Sequence, residues 1–273
     1  MPTHSSLVPA HDREPAGWWL TAYPSAAEAG GSFLYQLRRR PPAVRGGPAA
    51  DPERSRVEAA RRARARVRRY CAANRLNRLG TLTYAGAGCH DVHEFRGDIA
   101  AFFRNLRDAR GGQPFPYLWV PEWHPGGHGL HGHFAVGQYV PRGLIAEAWG
   151  LRFVSIKLLS DLPVGSGRLD EARRAAGYLS KYVGKSFGED RPTDLHRFDV
   201  GQGFQPERVR VYGRTCREAR SISMWTVAAV PASVQPAASR VACTPTAGIV
   251  SDSNRLRKTA RSRRSWSVRV NTG

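Results

Sequence analysis

The chain has 273 residues, enough for one sizeable core with extensions or for two small domains. Its 42 Lys and Arg against 22 Asp and Glu give a net charge of +20 and a pI near 11.0, so a polyanionic partner is expected. No apolar run reaches the roughly 18–20 residues of a membrane span, no long amphipathic apolar face accompanies the charge, and no basic-then-apolar leader opens the chain, so no membrane role is expected.

The four cysteines (71, 89, 216 and 243) form no CxxC pair, and a reducing cytoplasm is expected. Only four of the basic residues are lysines (157, 181, 185 and 258). The arginine excess, with abundant Ala and Gly, points to a GC-rich bacterial source.

Residues 1–50 are rich in Pro, Gly and Ala around Trp18-Trp19 and read as a largely disordered arm. Asp51-Pro52-Glu53 is a helix start, and residues 53–74 read as one helix with eight arginines between Arg54 and Arg69. Its thin apolar stripe is Val57, Ala60, Val67 and Cys71. Strands are predicted at 79–84, 117–123, 130–137 and 153–159. Helices are predicted at 94–110, 141–149 and 168–187. The order β-α-β-β-α-β predicts an α+β, ferredoxin-like antiparallel sheet with an added helix. Domain 51–190 is followed by an extension at 191–230, with short strand-like pieces at 209–212 and 221–226, packed on it. A disordered basic tail at 231–273 carries eight basic residues and one acid from Arg240 onward.

His131 and His133 fall on one face of a strand. With a turn at 124–129, Glu122 stands opposite His131 and Val120 opposite His133, which puts Glu122 on that same face. Two imidazoles and a carboxylate with open positions suit Mg²⁺ or Mn²⁺. An HxH pair by itself is more often two half-buried strand residues; Glu122 tilts the reading toward a metal site. Pro121 can shift this register through a bulge. His124 and His128 flank the turn as accessory candidates. Cys89, His90 and His93 form a short Cys/His loop with nothing at regular spacing to complete a site.

Tyr178, Lys181, Tyr182 and Lys185 occupy positions i, i+3, i+4 and i+7 of a helix, so both phenols can reach one site. A free phenol, with a pKa near 10, is neutral at pH 7 and attacks phosphorus only with help from a cation. Plain packing of two tyrosines beside a solvated lysine is the alternative for this stretch alone.

Three stretches together resemble the HUH endonucleases, in particular the replication-associated proteins that start rolling-circle replication of plasmids and phages. They are Leu79-Gly80-Thr81-Leu82-Thr83-Tyr84, then Glu122 with His131-Gly132-His133, then Tyr178-Leu179-Ser180-Lys181-Tyr182, the last in the two-tyrosine form. His196-Arg197-Phe198 and Gln202-Gly203-Phe204-Gln205-Pro206 resemble actinobacterial members. The resemblance covers roughly residues 55–190 and departs at Gly132, where the family usually has a bulky apolar residue.

It implies a divalent ion on Glu122, His131 and His133, and catalysis by Tyr178, Tyr182 and Lys181. Single-stranded origin DNA is cut with a 5′-phosphotyrosyl link and a free 3′-OH, and the ends are rejoined at termination. A host helicase and polymerase are implied partners, since no Walker-type GxxxxGK[ST] motif is present.

Two other readings compete. One is a relaxase or transposase on the same site, against which the motif order and the second tyrosine argue. The other is a non-catalytic ferredoxin-like nucleic-acid binder that stacks bases on Trp119 and Trp123.

Overall fold

Asp51 accepts the backbone N–H of Arg54 at 3.0 Å, and Pro52 and Glu53 follow it, so the first long helix starts where cap, proline and acid coincide. This helix, α1, is Pro52–Ala73. The structure, a computed structural model, describes residues 17–34, 49, 51–150, 152–158, 167–185, 196–219, 221, 239–242 and 265–272. Ahead of α1 lie β1 (Gly17–Tyr23) and β2 (Glu28–Leu34). After it come β3 (Arg78–Tyr84), α2 (Val92–Ala109), β4 (Tyr117–Trp123), β5 (Leu130–Val136), α3 (Arg142–Trp149), β6 (Arg152–Leu158) and α4 (Gly167–Lys185). Four more strands follow: β7 (Asp199–Val200), β8 (Val209–Gly213), β9 (Ser239–Ala242) and β10 (Ser265–Thr272).

The central sheet is antiparallel with order β6-β3-β5-β4-β7. Within the β-α-β-β-α-β unit this is the order 4-1-3-2, the ferredoxin-like arrangement, and the fold class is α+β as expected. Alternation along β5 divides the two faces. Leu130, Phe134 and Val136 join Phe95, Ile99 and Phe102 of α2 and Ile145 and Trp149 of α3 in one core. Ala135 joins Leu118 and Val120 of β4 on the other face, beneath Val67 and Tyr70 of α1 and Leu179 and Val183 of α4.

Gly132 has a physical reason. A Cβ there would stand 2.7 Å from Cδ1 of Ile99, so α2 fills the space that a bulky residue would otherwise take. The strand that carries His131 and His133 is therefore packed from behind, by α2 and not by its own side chain. Pro121 causes no bulge: Glu122 pairs with His131, and Val120 with His133. On its other side β4 is covered by β7 only at Leu118 and Trp119, so Pro121 lies past the end of that ladder.

Residues 17–34 correct the expectation of a disordered arm. They form an antiparallel pair, Gly17 opposite Leu34 through Tyr23 opposite Glu28, joined by a 3-10 turn at Pro24–Ala26. In the tail, β9 and β10 correct the same expectation for 239–242 and 265–272. They complete a second sheet of order β8-β1-β2-β10-β9. Glycine-rich β2 hid the first pair: at Gly31 a Cβ would run into the backbone of Trp19, so a poor strand former is what the close approach needs. The predicted strand piece at 221–226 lies outside the described residues apart from Ser221.

The second sheet is tied to the first layer by charge. Glu28, 4% exposed, accepts two bonds at 2.7 Å from Arg68 and one at 2.9 Å from Arg69. Burial opposes ionisation of Glu28, but its bonds and proximity to Arg68 and Arg69 outweigh it and lower the pKa. Arg75 and Arg173 donate to carbonyls of the turn, Arg75 to Ser25 at 2.7 Å and Arg173 to Ala27 at 3.1 Å. At the other end, Tyr70 donates to the Gly201 carbonyl at 2.9 Å, and Phe198 and Phe204 pack against the α1–α4 core, so 198–204 closes the edge of β4. Among the described residues no helix is long and apolar enough to cross a membrane.

Filling the Gly132 position with Val is expected to overpack the core and cost about 1–3 kcal/mol. The urea midpoint of the G132V/I99A pair should fall by less than the sum of the single changes, because the alanine vacates the space the valine needs. Strict additivity would show that Ile99 is not what Gly132 accommodates.

Candidate active site

The apolar stripe Ala172, Ala175, Ala176, Leu179 and Val183, all buried, seats α4 on the sheet. One helical step away lie Tyr178 and Tyr182, which therefore overhang the same sheet face as His131 and His133. The Tyr182 ring stacks on the His133 imidazole, with centroids 4.1 Å apart and planes at 19°. The Tyr178 ring stands edge-on to both, 6.3 Å from His133 and 5.2 Å from Tyr182.

The two phenols share a hydrogen bond. Tyr182 donates its hydroxyl to the Tyr178 oxygen at 2.6 Å. Burial first, then this bond, then the neighbouring Tyr178 and Glu122 push the Tyr182 pKa well above the ordinary phenol range. Tyr178 is the more accessible ring, 39% exposed. The Lys181 ammonium lies 5.9 Å from the Tyr178 ring centroid.

Beneath the tyrosines, Nε2 of His133 meets Oε2 of Glu122 at 2.8 Å. The other oxygen of that carboxylate accepts from the Lys185 ammonium at 3.2 Å. Sequence reasoning placed Lys185 on the tyrosine face without assigning it a role. Its position one turn beyond Tyr182 was the available signal.

The sequence analysis also missed the two threonines of β3. Thr81 pairs with His133 in the sheet, and its hydroxyl is 3.1 Å from Nδ1 of that ring. Thr83 stands 3.2 Å from Nδ1 of His131. A hydroxyl both donates and accepts, so each threonine fixes its ring while leaving either tautomer open.

His131 is the unfinished part. Its Nε2 is buried and has no hydrogen-bond partner among the described residues. A buried ring nitrogen left orphaned is costly unless something else meets it. His124 covers the ring, stacked at 4.6 Å and 19°. His128 lies 5.3 Å further out, against His124. Burial, the main cause, lowers the pKa of both His131 and His133, so both rings favour the neutral form that a metal requires.

Glu122, His131 and His133 thus share one face of the hairpin as the sequence predicts. As they stand, no three His, Cys, Asp or Glu side chains among the described residues are gathered closely enough to hold an ion. The Glu122 carboxylate is turned to His133 and Lys185. The donor set and the orphaned Nε2 still fit a divalent cation.

The Cys89 loop is accounted for otherwise. Cys89 is buried and gives its thiol to the Asp91 carbonyl, His90 bonds the Ala87 carbonyl, and His93 is exposed on α2. The base-stacking platform loses one of its two rings, while Trp123 is half-buried. Trp119 is 6% exposed and packs edge-on to Phe95 at 5.8 Å, beneath α2.

Residues 77–187 match the model of a family described as Replication-associated protein ORF2/G2P. No curated protein and no solved structure matches the chain. The matched span runs from just before β3 to just past α4, and so holds the whole ferredoxin-like unit with its tyrosine helix. The match supports a replication-associated role for this span.

The histidine shifts carry a sign. Below about pH 6.5 the unfolded chain takes up protons on residues 131 and 133 that the folded chain resists, so stability falls as pH drops below that value. The decline in Tm between pH 7 and 5 is expected to be shallower in the double variant H131N/H133N, whose amides do not titrate. An identical decline would place the pH dependence elsewhere.

Proposed function

We propose that the chain is an HUH-type rolling-circle initiator that nicks and rejoins single-stranded origin DNA through Tyr178 and Tyr182. The observation that carries this reading is the pair of hydrogen-bonded phenols resting on His133, whose Nε2 meets Glu122. Core packing alone does not call for two joined phenols, three histidine and carboxylate donors and two lysines on one face.

Tyr178 makes the first attack. Its oxygen bonds to the scissile phosphorus as the bond to the 3′ oxygen breaks. The phenolic proton leaves to solvent, which Tyr178 reaches, and the departing 3′ oxygen takes up a proton. One phosphoester replaces another, so no nucleotide hydrolysis is needed, and the free 3′-OH primes synthesis.

The hydrogen bond from Tyr182 stabilises the charge that develops on the Tyr178 oxygen, and the Lys181 ammonium adds to it. Tyr182, one turn along on the same face, carries the second strand transfer at termination. Thr81 and Thr83 hold the imidazoles in place.

Glu122, His131 and His133 would hold Mg²⁺ or Mn²⁺, which supplies charge neutralisation and orientation of the scissile phosphate when bound. Binding it requires Glu122 to turn from Lys185.

The chemistry is carried by domain 51–190. A cytoplasmic setting and a host helicase and polymerase complete the reading.

Tyr178→Phe is expected to lose initial nicking by a factor of roughly 10³ or more, while Tyr182→Phe still nicks but releases no circular product. Peptide mapping of the trapped protein–DNA adduct is decisive. DNA found on Tyr182 alone would reverse the assignment, and DNA on neither would remove the nuclease mechanism.

The metal assignment has a binding test. Calorimetric titration with Mn²⁺ should show His131→Ala weakened by about 10-fold or more relative to the parent chain. Equal affinity would place the ion away from His131.

A further inference from the structure

Away from the tyrosines, β2, α1 and residues 205–208 enclose a groove of about 980 Å³. Seven arginines line it and no carboxylate does. Arg61, Arg62, Arg64, Arg66 and Arg208 are exposed along it. Arg68 and Arg69 are held in its wall by the buried Glu28 carboxylate. Counting the pairs of Glu28 and of Glu58 with Arg61, seven positive charges less two negative leave a surplus of five.

The arginines in the wall are set, not floppy. Arg68 spends Nε and Nη2 on Glu28, which leaves Nη1 for another acceptor. Arg69 lies over the Tyr23 ring at 4.2 Å and binds its hydroxyl and Glu28, which leaves Nη2. Fixed guanidiniums with free N–H groups match phosphate oxygens with little ordering cost. Gly30, Gly31 and Ser32 keep the facing wall low, so a backbone can come close.

The groove also connects with the tyrosine helix. Arg64 lies against Gly184, where a Cβ would press on its guanidinium from 2.5 Å. It also lines a smaller cavity of about 210 Å³ with Gly177 and Ser180, on the side of α4 that faces α1.

We infer that this groove binds the phosphate backbone of single-stranded DNA outside the tyrosine site, an inference that rests on the DNA reading above. A duplex is read by elements that project into its grooves. Here the arginines line a concavity, which admits a thinner ligand. Contacts of this kind position a strand and carry no sequence.

The test is fluorescence anisotropy of the full chain with labelled oligo(dT) of about 20 nucleotides, in EDTA so that no metal-dependent cleavage intervenes, over a series of KCl concentrations. Replacing Arg62, Arg66 and Arg208 together by Gln should weaken binding at least 10-fold. It should also reduce the slope of log affinity against log salt by about 2, at roughly 0.7 per lost phosphate contact. A control triple of the same charge change at exposed sites elsewhere, Arg104, Arg142 and Arg217 to Gln, should reduce it by less. Equal losses in the two triples would overturn the groove in favour of general charge attraction. A duplex of equal length that binds as tightly, and loses as much in the groove variant, would overturn the single-strand assignment. The covalent adduct assay is scored separately, so failure of the groove and failure of the tyrosine chemistry give different results.

Discussion

The site depends on one packing contact, the seating of α4 on the sheet. Leu179 and Val183 share one cluster with Leu118, Val120 and Ala135 of the sheet and with Val67 and Tyr70 of α1. Alanines at 172, 175 and 176 let the backbone approach closely. Because the helix turns by about 100° per residue, burying 179 and 183 puts 178 and 182 over the histidines. A helix seated one residue out of phase would bury a tyrosine and expose a leucine. Core energetics and site geometry are therefore enforced by the same contact, and the cross-strand register of Glu122 with His131 supplies the other half.

Electrostatics set the resting state. One carboxylate, Glu122, serves both Lys185 and His133, while the neighbouring His131 nitrogen has no partner among the described residues. A cation arriving at Glu122 must compete with an ammonium that already uses one of its oxygens. Lys185 is mostly exposed, so its pair is a weak one and the competition is not costly. A released Lys185 would still lie on the tyrosine face, since its ammonium is 5.4 Å from the Tyr182 ring centroid.

Most of the central unit was legible because its signals are local. The strand β4 falls at the predicted residues, and β5 and the four helices lie within about two residues of prediction, because period-2 and period-3.6 patterns and the Asp51 cap each speak for themselves. The hairpin register followed from turn length alone. The second sheet was not legible for two reasons. In β2, Gly30-Gly31 suppresses the strand signal. In β10, the alternation of Trp266, Val268 and Val270 sits in a tail whose basic composition reads as disorder. Glu28 was equally hidden, since nothing in a lone acid among small residues announces a buried partner for Arg68 and Arg69. The threonines of β3 escaped notice because a hydroxyl that steadies a ring looks like any strand threonine until its cross-strand neighbour is known.

That buried acid explains why so basic a helix can pack at all. The N-terminal half of α1 offers little apolar surface, with Val57 exposed, and its buried contacts concentrate at Val67, Tyr70 and Cys71. Next to those contacts two adjacent arginines would repel each other and resist desolvation. Glu28 answers both problems by placing one carboxylate between them, where losing it would strand two cations in a part-buried wall. The arginines further up α1 remain exposed. The same helix is thus divided by its position relative to β2. Its lower half is neutralised inward to hold two sheets together, and its upper half presents exposed arginines, among them Arg61 paired with Glu58, along the groove.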